Sequence, residues 1–170
     1  MKKLIPLFIA LIFAVGCETS KVEVQYNEVQ ISQNEFPKPL GYVSDFDHIF
    51  TESQKEELTE ILSTYEAGTN RKIMVTTLTG DLSVDNFDSY AIDLSYRRGV
   101  GSPEIPDGMA IIFSEKLRRI RITTGIETKY KITDEMVSQT IDNIITPEFK
   151  EGEYFAGIMK GIEEFMRLWE

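Results

Sequence analysis

The sequence predicts an α/β fold, a three-layer α/β/α sandwich in which helices cover both faces of a mixed sheet. Strand and helix patterns alternate along the chain, as they do where helical crossovers join parallel strands. A short turn separates the strand patterns at 109–113 and 119–122, which predicts an antiparallel pair. With 170 residues, 42% of them hydrophobic, the chain is long enough for one domain with its own core.

The first helix is predicted to begin at Thr51, because Gln54 follows three residues later as in a capping box. Its apolar residues recur with the spacing of one helical face, at Leu58, Ile61, Leu62 and Tyr65. Gly68 predicts the end of this helix, since glycine favours the left-handed conformation that closes many helices. The β-rich run at 73–78 then predicts a central strand.

The second helix is predicted from another apolar stripe, formed by Phe87, Tyr90, Ala91 and Leu94. A glycine- and proline-containing loop at 99–107 separates it from the continuous apolar run 109–113, which predicts a buried strand. The residues at 119–122 alternate between arginine and isoleucine, so one face of this strand is expected to contact water.

Two further helices are predicted towards the carboxyl terminus. Thr133 is placed to cap the first, and Pro147 is predicted to stop it. The last helix carries an apolar stripe that is typical of core rather than of a cofactor site. This stripe comprises Phe155, Ile158, Met159, Ile162, Phe165, Met166 and Trp169.

Composition excludes several classes of function. The formal net charge of −10 makes the chain a poor partner for phosphate backbones, so no nucleic acid is expected. The single cysteine cannot form an internal disulfide or a zinc cluster. The single histidine, His48, excludes a multi-histidine metal site and is itself expected at the surface.

The amino terminus has the pattern of a secretory signal. Residues 4–15 are uncharged and follow two lysines, but a membrane-spanning helix needs about 20 apolar residues. Small residues precede Cys17 and resemble the lipoprotein signal of bacteria, in which the cysteine is lipidated and becomes the first residue. An ordinary secretory signal with an incidental cysteine is the alternative.

We therefore predict a signal peptide at 1–16, a polar tether at 17–40 and a single domain at 41–170. Lipid on Cys17 would hold the domain at a membrane, on the extracytoplasmic, periplasmic side. Glu18 is not the aspartate that resembles an inner-membrane retention signal, so the outer membrane is favoured. Removal of residues 1–16 leaves 154 residues and, because two lysines are lost, takes the net charge from −10 to −12.

Three carboxylates are expected to converge at one end of the sheet. The crossover places the 99–107 loop at the start of the 109–113 strand, and the hairpin returns the chain to that end. This geometry brings Asp107, Glu127 and Asp134 to the same end of the sheet. Carboxylate oxygens suit hard cations such as Ca²⁺ and Mg²⁺, so the three residues could bind one. The alternative is that they are solvated loop acids and a helix-terminal aspartate.

A resemblance to a known family covers about 41–169. The matching stretches are Gly41-Tyr42-Val43-Ser44-Asp45, Tyr65-Glu66-Ala67-Gly68-Thr69, 72–77, Tyr90-Ala91, Gly99-Val100-Gly101, Asp107-Gly108, Arg118 with Arg121, Gly125 with Glu127, Thr133-Asp134, and Phe149, Gly152 and Tyr154 with 157–161. Their order and spacing resemble the TPM domain family, which implies a Rossmann-like α/β/α sandwich in a membrane-tethered or extracytoplasmic protein.

The resemblance also implies functions. Some bacterial members are described as binding calcium or magnesium in a loop-built acidic crevice, which implies Asp45, Asp107, Glu127 and Asp134 as ligands here. A plant thylakoid member is described as an acid phosphatase linked to photosystem II repair, so a metal-dependent acid phosphatase is one alternative.

A third possibility is an accessory or scaffold module for a membrane protein complex, docked through an arginine-rich edge strand. Its arginines would be Arg118, Arg119 and Arg121. The alternative role of these charges is to protect an exposed strand edge from aggregation.

Overall fold

Strands and helices alternate along the chain in the computed structural model, which describes residues 36–79 and 84–170. Its elements are β1 (Val43–Asp45), α1 (Glu52–Thr69), β2 (Lys72–Thr77), α2 (Val84–Arg97), β3 (Gly108–Ser114), β4 (Arg119–Thr124), a 3₁₀ turn (Thr128–Tyr130), α3 (Asp134–Thr140), a π-helical segment (Ile141–Ile145), α4 (Thr146–Lys150) and α5 (Tyr154–Leu168). Phe36–Glu170 form one compact unit.

The four strands of the described residues form one mixed sheet in the order β1-β2-β3-β4. The first three strands are parallel, with Val75 of β2 paired to Val43 and to Ile111. The fourth strand pairs with β3 in the antiparallel direction. We call the end of the sheet where β2 and β3 begin the amino edge, and the end where they finish the carboxyl edge.

Two apolar clusters lie on opposite faces of the sheet, because successive side chains of a strand point in opposite directions. Ile73 and Val75 of β2 face the cluster built with α1 and α5, whereas Met74 faces the cluster built with α2. Phe165 of α5 and Trp169, which directly follows this helix, are buried in the first cluster, so the carboxyl-terminal stripe is core as predicted. The three-layer α/β/α architecture is therefore confirmed.

The first helix begins as predicted but ends later. The Thr51 side chain accepts a hydrogen bond from the Gln54 amide, and the Gln54 side chain accepts one from the Thr51 amide, which completes the capping box. The end at Gly68 was wrong, because Asn70 adopts the left-handed conformation, with φ 62°, and its N–H donates to the Glu66 carbonyl. Asparagine tolerates this conformation better than most residues with a side chain.

The stop at Pro147 was also wrong. The π-helical segment precedes it, and the Thr146 N–H donates to the Ile141 carbonyl at the end of that segment. Pro147 lies in the first turn of α4, where the missing N–H of proline costs little. The chain therefore stays helical through the proline.

Sequence reasoning did not assign β1, which has only three residues and pairs with β2 along one side. The predicted signal peptide, Cys17 and the tether up to residue 35 lie outside the described residues. The described end of that tether packs on the domain, because the Phe36 ring stacks on Tyr90 at 4.7 Å between centroids. None of the helices in the described part of the chain has the length and apolarity to cross a bilayer.

Candidate functional site

Asp45 lies at the carboxyl edge, where its carboxylate organises the turn between β1 and α1. The parallel register aligns Asp45 with Thr77, whose hydroxyl donates to Asp45 Oδ1 at 2.6 Å. The amides of Ile49 and Phe50 donate to its two oxygens at 3.1 and 2.9 Å. The residue is only 4% exposed. Asp45 is therefore a buried structural acceptor that fixes the chain before the first helix.

The other three predicted ligands lie at the amino edge. Asp107 immediately precedes β3, whereas Glu127 and Asp134 follow β4. Because β4 runs antiparallel to β3, both groups meet at the same end of the sheet, as the sequence predicted. Asp45 ends β1 and so lies at the opposite end from these three residues. The structure does not bring the four acids together.

Backbone hydrogen bonds hold the two acid-bearing loops of the amino edge against each other. We call the segments 99–108 and 125–134 the acidic loops. The Gly125 N–H donates to the Gly108 carbonyl at 2.7 Å, and the Glu127 N–H donates to the Pro106 carbonyl at 3.3 Å. The Thr128 hydroxyl donates to the same Gly108 carbonyl at 3.1 Å. These bonds fix Glu127 beside the residue that precedes Asp107.

The close approach of the acidic loops depends on a glycine. A Cβ atom at Gly125 would lie 2.2 Å from the Pro106 carbonyl oxygen and 3.2 Å from the Gly108 nitrogen. Both neighbours are backbone atoms, which cannot rotate away as a side chain can. The glycine therefore keeps the loops at hydrogen-bonding distance.

The side chains at this edge differ in exposure. Asp107 is half-buried and Glu127 is exposed. Asp134 is exposed and its carboxylate lies 3.9 Å from the Lys129 ammonium. Within residues 36–79 and 84–170, no group of three or more aspartate, glutamate, histidine or cysteine side chains is placed to hold a metal ion.

This donor set fits a hydrated hard cation and does not fit a site built from protein side chains alone. Mg²⁺ keeps several waters and is usually bound by one or two carboxylates, and Ca²⁺ accepts carbonyl oxygens and water as well as carboxylates. Asp107 and Glu127 supply two carboxylates from loops that are held together. Zinc, which prefers nitrogen and sulfur ligands, has no such donors there.

The carboxyl edge contains a cavity of about 450 Å³, whose lining includes Arg118, Arg119, Lys150 and Tyr154. From the sequence, the arginines of this region were predicted only to dock a partner protein or to protect a strand edge from aggregation. Sequence reasoning missed Lys150 and Tyr154, because they follow the arginines by about 30 residues in the chain. They reach the cavity only through the packing of α4 and α5. His48 is exposed, as predicted.

The family comparison matches the model of the TPM domain to residues 43–168, which is nearly all of the described unit. The chain belongs to the TPM domain family. No curated protein matches its sequence significantly. The match begins at β1 and ends with α5, so the acidic loops and the carboxyl-edge cavity both belong to the TPM domain.

Solved structures have the same fold. The amino-terminal domain of a P. gingivalis protein is similar with a TM-score of 0.66 and 22% identity, over 75% of this chain and 80% of that one. The BA42 protein of Bizionia argentinensis is similar with a TM-score of 0.60 and 18% identity, over 73% of this chain and 83% of that one. The amino-terminal domain of the cg2496 protein of Corynebacterium glutamicum is similar with a TM-score of 0.59 and 15% identity, over 78% of this chain and 83% of that one.

Proposed function

We propose that this TPM domain is a membrane-tethered, extracytoplasmic module that binds one hydrated divalent cation, Ca²⁺ or Mg²⁺, between its acidic loops. The observation that carries the proposal is the hydrogen bond from the Glu127 N–H to the Pro106 carbonyl, at 3.3 Å. It holds a segment that carries one carboxylate against a segment that carries another. Preformed loops reduce the ordering cost that a cation would otherwise impose.

Asp107 and Glu127 would hold the cation, and water and backbone carbonyls would complete its coordination. A divalent cation bound between the two loops would neutralise the negative charge of both carboxylates. Asp134 adds negative charge nearby but already faces Lys129, so its contribution is smaller. When bound, the cation joins the two loops and can polarise an oxygen-containing ligand.

Calorimetric titration of the domain with Ca²⁺ and with Mg²⁺ tests this proposal. We expect saturable binding that Asp107→Asn and Glu127→Gln each weaken about tenfold, which corresponds to about 1.4 kcal/mol for one lost charged contact. Glu163→Gln is the matched control, because Glu163 is an exposed carboxylate on α5. This control should leave the affinity within about twofold of the parent value, since it removes one distant charge.

The proposal would be contradicted if neither cation bound at concentrations up to about 10 mM, which exceeds the dissociation constants of the weakest extracellular Ca²⁺ modules. Equal weakening by Glu163→Gln would contradict it as well, because the effect would then follow net charge rather than the acidic loops.

The membrane tether is proposed from the sequence alone, through lipidation of Cys17 after removal of residues 1–16. One acyl chain binds a membrane only marginally, whereas two or more anchor a protein stably. Cys17→Ala is therefore expected to move the protein from the membrane fraction to the soluble extracytoplasmic fraction. Fractionation followed by immunoblotting measures this, and undiminished membrane retention of the variant would argue against lipidation.

The alternatives have less support. A phosphatase that uses Asp45 as its reacting carboxylate would have to break a buried set of three hydrogen bonds. A membrane protein partner docked through β4 would compete with α2 for Arg119, because this arginine forms an ion pair with Asp88. We therefore retain cation binding by a tethered domain as the proposed function.

A further inference from the structure

The carboxyl-edge cavity has an excess of positive charge in a strongly acidic chain. It opens between the turn that joins β3 to β4 and the turn that joins α4 to α5. Its basic lining residues are Arg118, Arg119 and Lys150, and its acidic lining residue is Glu115. The whole chain has a net charge of −10, so this local balance is opposite in sign to that of the protein.

Two of the three cations are available to a ligand. Arg119 forms an ion pair with Asp88 of α2. Arg118 and Lys150 form no ion pair within residues 36–79 and 84–170, although both are exposed at the cavity. The Arg118 backbone is left-handed, with φ 50°, a conformation that costs a residue with a side chain about 1–2 kcal/mol. The turn therefore holds an arginine where glycine would be less costly.

Aromatic rings form the apolar wall of the cavity. The rings of Phe149 and Tyr154 contact each other at 4.9 Å between centroids, and Phe149 also contacts Phe113 at 5.1 Å. Burial raises the pKa of Tyr154, and the charge of Glu115 and a hydrogen bond with it raise this pKa further. The hydroxyl therefore stays protonated as a donor at neutral pH.

The position and size of the cavity suit a small ligand. It lies beyond the carboxyl end of β3, where the turns that join β3 to β4 and α4 to α5 face each other. Its volume of about 450 Å³ falls in the usual range of ligand pockets and exceeds what a bare inorganic anion fills. A charged group at the mouth and an organic part along the aromatic wall would occupy it.

We propose that this cavity binds a small organic dianion. Its charged group lies between the Arg118 guanidinium and the Lys150 ammonium, and its organic part packs against Phe149 and Tyr154. Arginine offers paired N–H donors that match the oxygens of a phosphonate, phosphate or carboxylate group. Glu115 opposes the negative charge of this ligand, so its removal should strengthen binding.

The test uses phenylphosphonate, a dianion at pH 8.5 that carries a ring, titrated calorimetrically into the domain in buffer freed of divalent cations by a chelating resin. We expect saturable binding that Arg118→Gln and Lys150→Gln each weaken about tenfold, as the loss of one charged contact predicts. Glu115→Gln should strengthen binding about threefold because it removes a repulsive charge. Inorganic phosphate should bind at least about threefold more weakly, because it lacks the ring that buries apolar surface.

Lys116→Gln is the matched control, because Lys116 is an exposed lysine of the same turn that does not line the cavity. It should leave the affinity within about twofold of the parent value. The proposal would be overturned if Lys116→Gln weakened binding as much as Lys150→Gln does. It would also be overturned if binding did not saturate below about 10 mM phenylphosphonate, which corresponds to a binding free energy weaker than about 3 kcal/mol.

A lipid headgroup is the competing source of the anion, and sedimentation with phosphatidylglycerol vesicles, using phosphatidylcholine vesicles as reference, tests it. Failure of the domain to bind either vesicle, together with phenylphosphonate binding, would support the small ligand. The small-ligand proposal would be overturned if the domain bound phosphatidylglycerol vesicles alone, lost this binding in Arg118→Gln, and did not bind phenylphosphonate. Because divalent cations are absent from this titration and the acidic loops lie at the other edge, a negative result here would not count against the cation proposal.

Discussion

Asp45→Asn is expected to lower the free energy of unfolding by about 3 kcal/mol, because it breaks a buried, charged set of hydrogen bonds. The carboxylate accepts from the Thr77 hydroxyl and from the amides of Ile49 and Phe50. An asparagine oxygen can replace one carboxylate oxygen, but the NH₂ group would then face at least one N–H donor, that of Phe50 if the oxygen takes the place of Oδ1. At 4% exposure, water cannot compensate for the lost acceptor.

Urea unfolding followed by circular dichroism measures this effect. Asp142→Asn is the control, since Asp142 is an exposed carboxylate whose described hydrogen bond, from Ser138, is 3.4 Å long. The control should change the unfolding free energy by less than about 0.5 kcal/mol. A loss below about 1 kcal/mol for Asp45→Asn would contradict the structural role of this residue.

Gly125→Ala is expected to destabilise the domain by about 3 kcal/mol and to weaken cation binding, because a methyl group cannot fit between the acidic loops. The new Cβ would lie 2.2 Å from the Pro106 oxygen, so the backbone must move. That movement would break the hydrogen bonds from Gly125 to Gly108 and from Glu127 to Pro106.

Gly68→Ala is the matched control in the same unfolding experiment. A Cβ at Gly68 meets nothing within 4 Å, and the residue lies inside α1. Alanine favours helix over glycine, so this variant should gain about 0.5–1 kcal/mol. A Gly125→Ala protein as stable as its parent would show that the loops can separate without cost, and so that Gly125 does not hold them together.

Local signals were strong enough to predict most of the fold. The capping box at Thr51 and the apolar stripe through Phe165 depend on neighbours a few residues apart, and the structure confirms both. The errors arose at helix ends. The left-handed residue that closes α1 is Asn70 rather than a glycine near Gly68, and the π-helical segment lets the chain continue through Pro147.

The acidic loops were predictable in part for the same reason. The alternation of strands and helices determines which loops share an edge, so Asp107 and Glu127 could be assigned to one end of the sheet. The buried structural role of Asp45 could not be predicted from its residue type, because it depends on Thr77 of the adjacent strand. The carboxyl-edge cavity depends on how α4 and α5 pack, which no local pattern in the sequence specifies.

Titration of the ¹⁵N-labelled domain with Ca²⁺ and Mg²⁺, followed residue by residue through amide chemical shifts, tests whether the cation site lies at the amino edge. We predict saturable shifts confined to the acidic loops, centred on Asp107 and Glu127, while the amides of Ile49 and Phe50 beside Asp45 stay unchanged. Saturable shifts centred on the turn after Asp45, or no shifts in the acidic loops, would contradict the assignment of the cation site to the amino edge.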